Sequence, residues 1–237
     1  MWLKQNLLKP ILDFIFPPVC LLCQKIIDDG DAKICTECWN SFTIVDETHP
    51  DYMVLKNRFI SGGVIKDFTS SFLFEKEGKF QEAIHLLKYK GIKSVGLKLG
   101  LVLGEKINQN SFGTIDIVAP VPLHKLKLRE RGYNQTDYIC KGISQSTEYI
   151  AIFDLITRLK YTQSQTALTF QQRKENVSDA FVLNDKYKDL IRDKVVLLVD
   201  DVITTGATIE AVGRVLKSAG AKNVFTTSAG LAKGDGV

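Results

Sequence analysis

Residues 195–201 read Val-Val-Leu-Leu-Val-Asp-Asp, and no other stretch restricts the fold of this chain as much. Five successive apolar residues are too many for a strand with one wet face and too few for a buried helix. The run fits a strand covered on both faces, as in parallel sheets sandwiched between helices. Further apolar runs predict strands at 70–76, 115–122, 154–159 and 222–229. Helical patterns lie between them at 79–91, 95–107, 134–145 and near 207–218, the first stopped by Gly91. This alternation predicts an α/β fold with a parallel sheet. Ligands in such sheets bind beyond the carboxyl ends of the strands, where Asp200 and Asp201 would lie.

The acids are followed by Thr204, Thr205, Gly206, Ala207 and Thr208. Small residues ahead of a helix let backbone N–H groups face an anion, and the helix dipole adds about 0.3–2 kcal/mol per charge. Gly206 allows unusual dihedrals and close backbone approach. The pattern reads as a phosphate cradle. It is not a nucleotide P-loop, because G-x-x-x-x-G-K-[ST] is absent, and G-x-S-x-G is missing as well. Carboxylates beside a phosphate are repelled unless they face hydroxyls or a metal ion. Two adjacent acids can accept both hydrogens of a vicinal diol, so a sugar phosphate satisfies the whole stretch. The plain alternative is a solvated strand end with a threonine N-cap, but one cap does not call for two acids, two threonines and a glycine in sequence.

Four of the five cysteines fall in the first fifty residues, as Cys20-x-x-Cys23 and Cys35-x-x-Cys38. Two such knuckles can place four thiolates tetrahedrally around one Zn²⁺, and four protein ligands leave no open position, so the expected role is structural. Disulfides are the alternative, disfavoured in a chain expected to be cytoplasmic. Asp28, Asp29 and Asp31 between the knuckles read as solvated, and Cys140 reads as core. These features divide the chain into a 1–50 module, an N-terminal helix with the zinc-binding knuckles, and a 51–237 α/β domain.

The chain of 237 residues is 45% apolar, enough to bury a core without disulfides. Its net charge of +4 suits anionic ligands and is too small to argue for nucleic acid alone. No apolar run approaches the roughly 18 residues a membrane span needs. The first eighteen residues carry Leu3, Leu7, Leu8, Ile11, Leu12 and Ile15 near helical spacing. Asp13 and the lack of a small-residue cleavage site argue against a signal peptide. A helix docked on the core or a partner is expected, with peripheral membrane contact as the sharper reading.

The stretch "VVLLVDDVITTGAT" resembles the 5-phosphoribosyl-1-pyrophosphate (PRPP) motif of type I phosphoribosyltransferases. "LKYKG" (87–91), "VPLHKLKLRERGYNQ" (121–135) and "QTALTFQQRKENVSDAF" (165–181) are similar to the ComF/ComFC family, associated with DNA uptake in naturally competent bacteria. The likeness extends over most of the chain, the cysteines included. Tyr133 departs from the phenylalanine more usual in that family.

The resemblance implies a type I phosphoribosyltransferase-like sheet flanked by helices. It puts the PRPP 5-phosphate on the turn of Thr204, Thr205, Gly206, Ala207 and Thr208, and the ribose hydroxyls on Asp200 and Asp201. It implies Mg²⁺ on pyrophosphate and ribose oxygens, and a pyrophosphate loop at 119–123, around Val121. The basic stretch that follows carries Lys125, Lys127, Arg129 and Arg131, and a mobile basic loop would suit a pyrophosphate lid. Arg129 and Arg131 are the stronger candidates, and a solvated loop is the alternative. Lys88 and Lys90 border the expected site. His124 reads as a turn residue and His85 as packed or partly exposed. No general base stands out.

Three functional readings follow. The first is a phosphoribosyltransferase of unknown acceptor, releasing pyrophosphate. The second is a non-catalytic PRPP-binding protein in DNA uptake. The third is a module in which the knuckle and basic loop touch single-stranded DNA or a DNA-uptake helicase. In that third reading Trp39 and Phe42 could stack on bases, although aromatics beside a knuckle commonly form its small core.

Overall fold

The computed structural model describes residues 16–27, 32–109, 112–159 and 180–233. The expected N-terminal helix, the three aspartates between the knuckles and most of 165–181 lie outside the described residues.

Five strands form one parallel sheet in the order β1-β7-β6-β2-β3. They are β1 (Phe68–Phe74), β2 (Ile117–Pro120), β3 (Ile150–Ala151), β6 (Val195–Ile203) and β7 (Asn223–Ala232). The apolar run at 195–199 is thus the centre of the sheet. Val196, Leu197, Leu198 and Val199 are fully buried, in two apolar clusters. One holds Val196 and Leu198 with Phe59, Ile209 and Val212. The other holds Leu197 and Val199 with Leu87, Leu99 and Ile139.

Helices cover the sheet. They are α1 (Thr36–Asn40), α2 (Pro50–Ser61), α3 (Lys79–Tyr89), α4 (Lys93–Gln109), α5 (Lys125–Arg131), α6 (Gln135–Ser146) and α7 (Ala207–Ser218). Helices α4 and α6 approach so closely that a Cβ on Gly142 would lie 2.1 Å from the Leu97 carbonyl oxygen, and one on Gly100 2.1 Å from that of Ile139. The glycines let two backbones touch, which fixes α6 and its first residue against the sheet.

Two expectations need correction. The strand expected at 154–159 exists as β4 (Ile156–Arg158), but it pairs antiparallel with β5 (Phe181–Leu183) in a separate two-stranded sheet. The edge of the main sheet is the two-residue β3, too short to leave a periodic signal. The basic stretch at 125–131 is a helix rather than a loop. Lys, Leu, Arg and Glu all favour helix. The His124 imidazole accepts from the Leu126 amide at 3.2 Å to cap its start, and Gly132, at φ 77°, ends it.

The cysteine module is joined to the sheet at its β1 edge. The Val45 amide donates to the Ser71 carbonyl at 2.9 Å, and the Leu73 amide to Thr43 at 2.8 Å. Phe42 packs edge-on against Phe72 and Phe80. No helix among the described residues is long and apolar enough to cross a membrane.

Candidate functional site

Strand β6 does not end at the acids. Asp200 still pairs with Ser228 and Ile203 with Leu231, so both carboxylates project from the last rungs of the central strand. Asp201 is 4% exposed. Its charge is met from two helices. Lys88 of α3 sits 2.9 Å from Oδ1, and the Gln135 side-chain amide, at the start of α6, donates to Oδ2 at 2.5 Å. Asp200 is half-buried and accepts the Asp201 amide at 2.8 Å. Burial pushes its carboxyl up to about 7; the neighbouring Asp201 charge adds to this, and Lys88 opposes it. The Asp201 amide occupies one lone pair of Oδ1, so the carboxyl keeps further acceptor positions.

The Gln135 amide has its orientation set by both ends. While its nitrogen donates to Asp201, its oxygen accepts from Arg131 Nη1 at 2.9 Å. Arg131 also reaches the Tyr89 hydroxyl at 3.3 Å and lies over that ring. Lys88 and Arg131 therefore converge on the acid pair, one directly and one through Gln135. Arg129 is exposed at the end of α5, as are Lys125 and Lys127 on the same helix, and among the described residues no ion pair or hydrogen bond joins them to the acids. Lys90 is exposed at the C-terminal end of α3, and His85 is exposed with its ring 4.8 Å from that of Tyr89.

The expected pyrophosphate loop has little free backbone at its centre. Val121 donates its amide to Val199 at 2.8 Å and receives the Asn134 side chain on its carbonyl at 3.1 Å. Pro120 and Pro122 have no N–H. Val121 thus holds the loop to the sheet and to α6, and has no amide left for an anion.

The turn after β6 is open to a ligand. Thr204 and Thr205 are exposed, and α7 begins at Gly206 with no side-chain cap. A threonine N-cap is therefore ruled out. Gly206 has φ 73°, and a Cβ there would lie 2.5 Å from the Phe59 ring, so only glycine fits on both counts. The amides of Gly206, Ala207, Thr208 and Ile209 donate to no acceptor among the described residues, while Glu210 closes the first helical bond to the Gly206 carbonyl at 3.0 Å. Unpaired N–H groups at a helix start, next to a left-handed residue, form a concave donor surface for anions.

Sequence reasoning missed Gln135 and Arg58. Arg58 of α2 donates to the Thr205 carbonyl at 2.6 Å and pairs with Glu210 at 3.0 Å. Both contacts span long separations that no local pattern encodes.

The cysteines gather as expected from their spacing. The Sγ atoms of Cys20, Cys23, Cys35 and Cys38 lie within 4.8 Å of one another, and those of Cys23 and Cys35 are 3.7 Å apart. Tetrahedral bonds of ~2.3 Å to Zn²⁺ would space sulfurs by about 3.8 Å. All four are free thiols. Burial raises Cys20, but the amides of Cys35, Cys23 and Leu22 outweigh it and bring the thiol down to about 6. Burial pushes Cys38 up, and neighbouring thiols add to that. The donor set fits a structural zinc ion. Phe42 is buried and has no face for a base, while Trp39 packs against it and lies under Lys98. Cys140 is fully buried, as expected of core.

Known proteins agree with both halves of this picture. A family model described as a phosphoribosyl transferase domain matches residues 141–232, and one described as a double zinc ribbon domain matches 11–49. Competence protein F of Haemophilus influenzae is 32% identical over 46% of this chain and 47% of its own length. Competence protein ComFC of Streptococcus pneumoniae is 32% identical over 46% of this chain and 44% of its own. In both regions this chain is similar to the ComF-type competence proteins. The aligned part spans about half the length of these relatives. Among solved structures, the glutamine PRPP amidotransferase of B. subtilis is 20% identical, with a TM-score of 0.38, over 56% of this chain and 26% of that one. The matched transferase region holds the acid pair and the 204–208 turn. Lys88, Arg131 and Gln135 lie before it in sequence.

Proposed function

We propose that this chain binds PRPP with Mg²⁺ and transfers its phosphoribosyl group to an acceptor, releasing pyrophosphate. The observation that carries the proposal is the pairing of an uncapped, donor-lined helix start with two carboxylates six and seven residues earlier on the central strand. The 5-phosphate would take the free amides and the hydroxyls of Thr204, Thr205 and Thr208. The ribose hydroxyls would donate to Asp200, which accepts the Asp201 amide among the described residues, and to the remaining lone pairs of Asp201. Lys88 and Arg131 would face the pyrophosphate side. Asp200 and Asp201 would face an Mg²⁺ carried by the ligand, and such an ion would supply charge neutralisation at the leaving pyrophosphate. The C1–O bond to pyrophosphate breaks, positive charge builds on the ribose, and a nitrogen of the acceptor closes on C1 from the opposite face and passes its proton to water or to the departing pyrophosphate. The chain's contribution is electrostatic and positional.

In this reading residues 1–50 are a separate zinc-held module and 51–237 the ligand-binding domain. The relatives' names support a role in competence for this chain. The test of transfer is pyrophosphate release from Mg·PRPP across a panel of nucleobases, amines and single-stranded DNA. Acceptor-dependent release supports an enzyme. Binding of PRPP without release by any acceptor favours a PRPP-binding competence factor that does no transfer.

A further inference from the structure

Gly206 is the hinge of the phosphate turn, and the peptide that precedes it must have one polarity for the turn to take an anion. A trans peptide is planar, so the Thr205 C=O and the Gly206 N–H point in opposite directions. Were this peptide flipped, a carbonyl oxygen would face the phosphate in place of a donor. Nothing in the turn itself prevents the flip, because glycine tolerates either dihedral pair. The restraint comes from α2. Arg58 Nη1 holds the Thr205 oxygen at 2.6 Å, and the same guanidinium is fixed by Glu210, with Nε 3.0 Å from Oε1 and Nη2 3.4 Å from Oε2. Glu210 is on the first turn of α7, the helix whose free amides would meet the ligand. Its side chain is 14% exposed and its charge lies close to an expected anion, so Arg58, with Arg214 at 4.0 Å from Oε2, also neutralises it. Next along α2, Phe59 packs under Gly206, where any Cβ would collide with it.

We infer that Arg58 is a positioning residue for the phosphate turn. It turns the Thr205 carbonyl outward, so that the Gly206 amide joins those of Ala207 and Thr208 as an inward donor, and it is the nearer of two arginines that offset the Glu210 charge beside them. This rests on the proposal that the 204–208 turn takes the 5-phosphate. Arg58 touches no part of the ligand in this scheme. Its effect therefore belongs to the phosphate end alone and spares the pyrophosphate end.

The test is a titration of wild type, Arg58→Met and Arg58→Lys with two probes, ribose 5-phosphate and Mg·pyrophosphate, followed by calorimetry and by the Gly206 amide signal in ¹⁵N-labelled protein. Ribose 5-phosphate shifts the Gly206 amide in wild type. Arg58→Met weakens that probe about tenfold, as expected for loss of one charge-assisted restraint, and leaves Mg·pyrophosphate unchanged. Arg58→Lys, which can still donate to Thr205, recovers most of the loss. Equal affinity of Arg58→Met and wild type for ribose 5-phosphate overturns the inference while leaving the PRPP reading intact. So do parallel losses for both probes, which a general structural defect would give. Failure of wild type to bind ribose 5-phosphate at all overturns both.

Discussion

Asp200 is half-buried beside a second carboxylate, and its pKa is raised to about 7. For a carboxyl whose folded pKa lies above its unfolded value, ionisation works against folding. Below pH 3.8 both states hold the proton and nothing is lost. The cost grows as pH rises from there and is complete above about 7. Asp200→Asn should therefore raise thermal stability at pH 8, by on the order of 1–3 kcal/mol, and the gain should vanish as the pH is lowered towards 4. Melting curves at the two pH values check this, and a gain that persists at pH 4 contradicts the buried-charge account. Lys88→Met acts on the other acid. It strips the cation from a nearly buried Asp201 and should cost about 2 kcal/mol, less than the 3–5 of a fully buried pair because Lys88 is partly exposed. Added to Asp201→Asn it should cost much less, so a double-mutant cycle that sums additively would refute the pairing. The acid pair was legible in the sequence because its chemistry is local, two acids after an apolar run. Gln135 and Arg58 were not, since their partners lie 66 and 147 residues away.

The same division holds for whole elements. Strand β6 and helices α3, α4, α6 and α7 fall where apolar periodicity puts them, because each buries one continuous face or both. Strand β4 was visible too, but its partner was not. Local alternation in Ile156-Thr157-Arg158 specifies a strand and leaves its neighbour open. The small residues of α4 and α6 have no hydrophobic signature, yet they decide how close these helices come. Gly142→Ala would force a methyl group into the Leu97 carbonyl, with no flexible side chain to give way. Overpacking of this kind commonly costs 1–3 kcal/mol or more. Because Gln135 opens α6, the variant should also weaken PRPP binding without touching the site. Denaturant melts and a PRPP titration read the two effects, and unchanged stability would contradict the contact. In the cysteine module, four thiolates this close would repel one another without a cation among them. Chelation should release about one zinc per chain and lower the melting temperature, and Cys23→Ser should do the same. Elemental analysis finding no zinc would overturn the assignment.

At the scale of the molecule, the strand order explains why the site is where it is. Strand β6 lies between β7 and β2, so its end is flanked by the starts of α6 and α7 and overhung by the end of α3. In the proposed reading, sugar hydroxyls, 5-phosphate and pyrophosphate would find separate partners at this strand end: the acids, the free amides, and Lys88 with Arg131. A ligand that presents all three should bind more tightly than any fragment. The measurement that tests this most directly is calorimetric titration of Mg·PRPP into wild type and into the double variant Asp200→Asn/Asp201→Asn. The account predicts binding to wild type and a loss of at least tenfold in the double variant, with the fold retained. Equal affinity in the two proteins would contradict it.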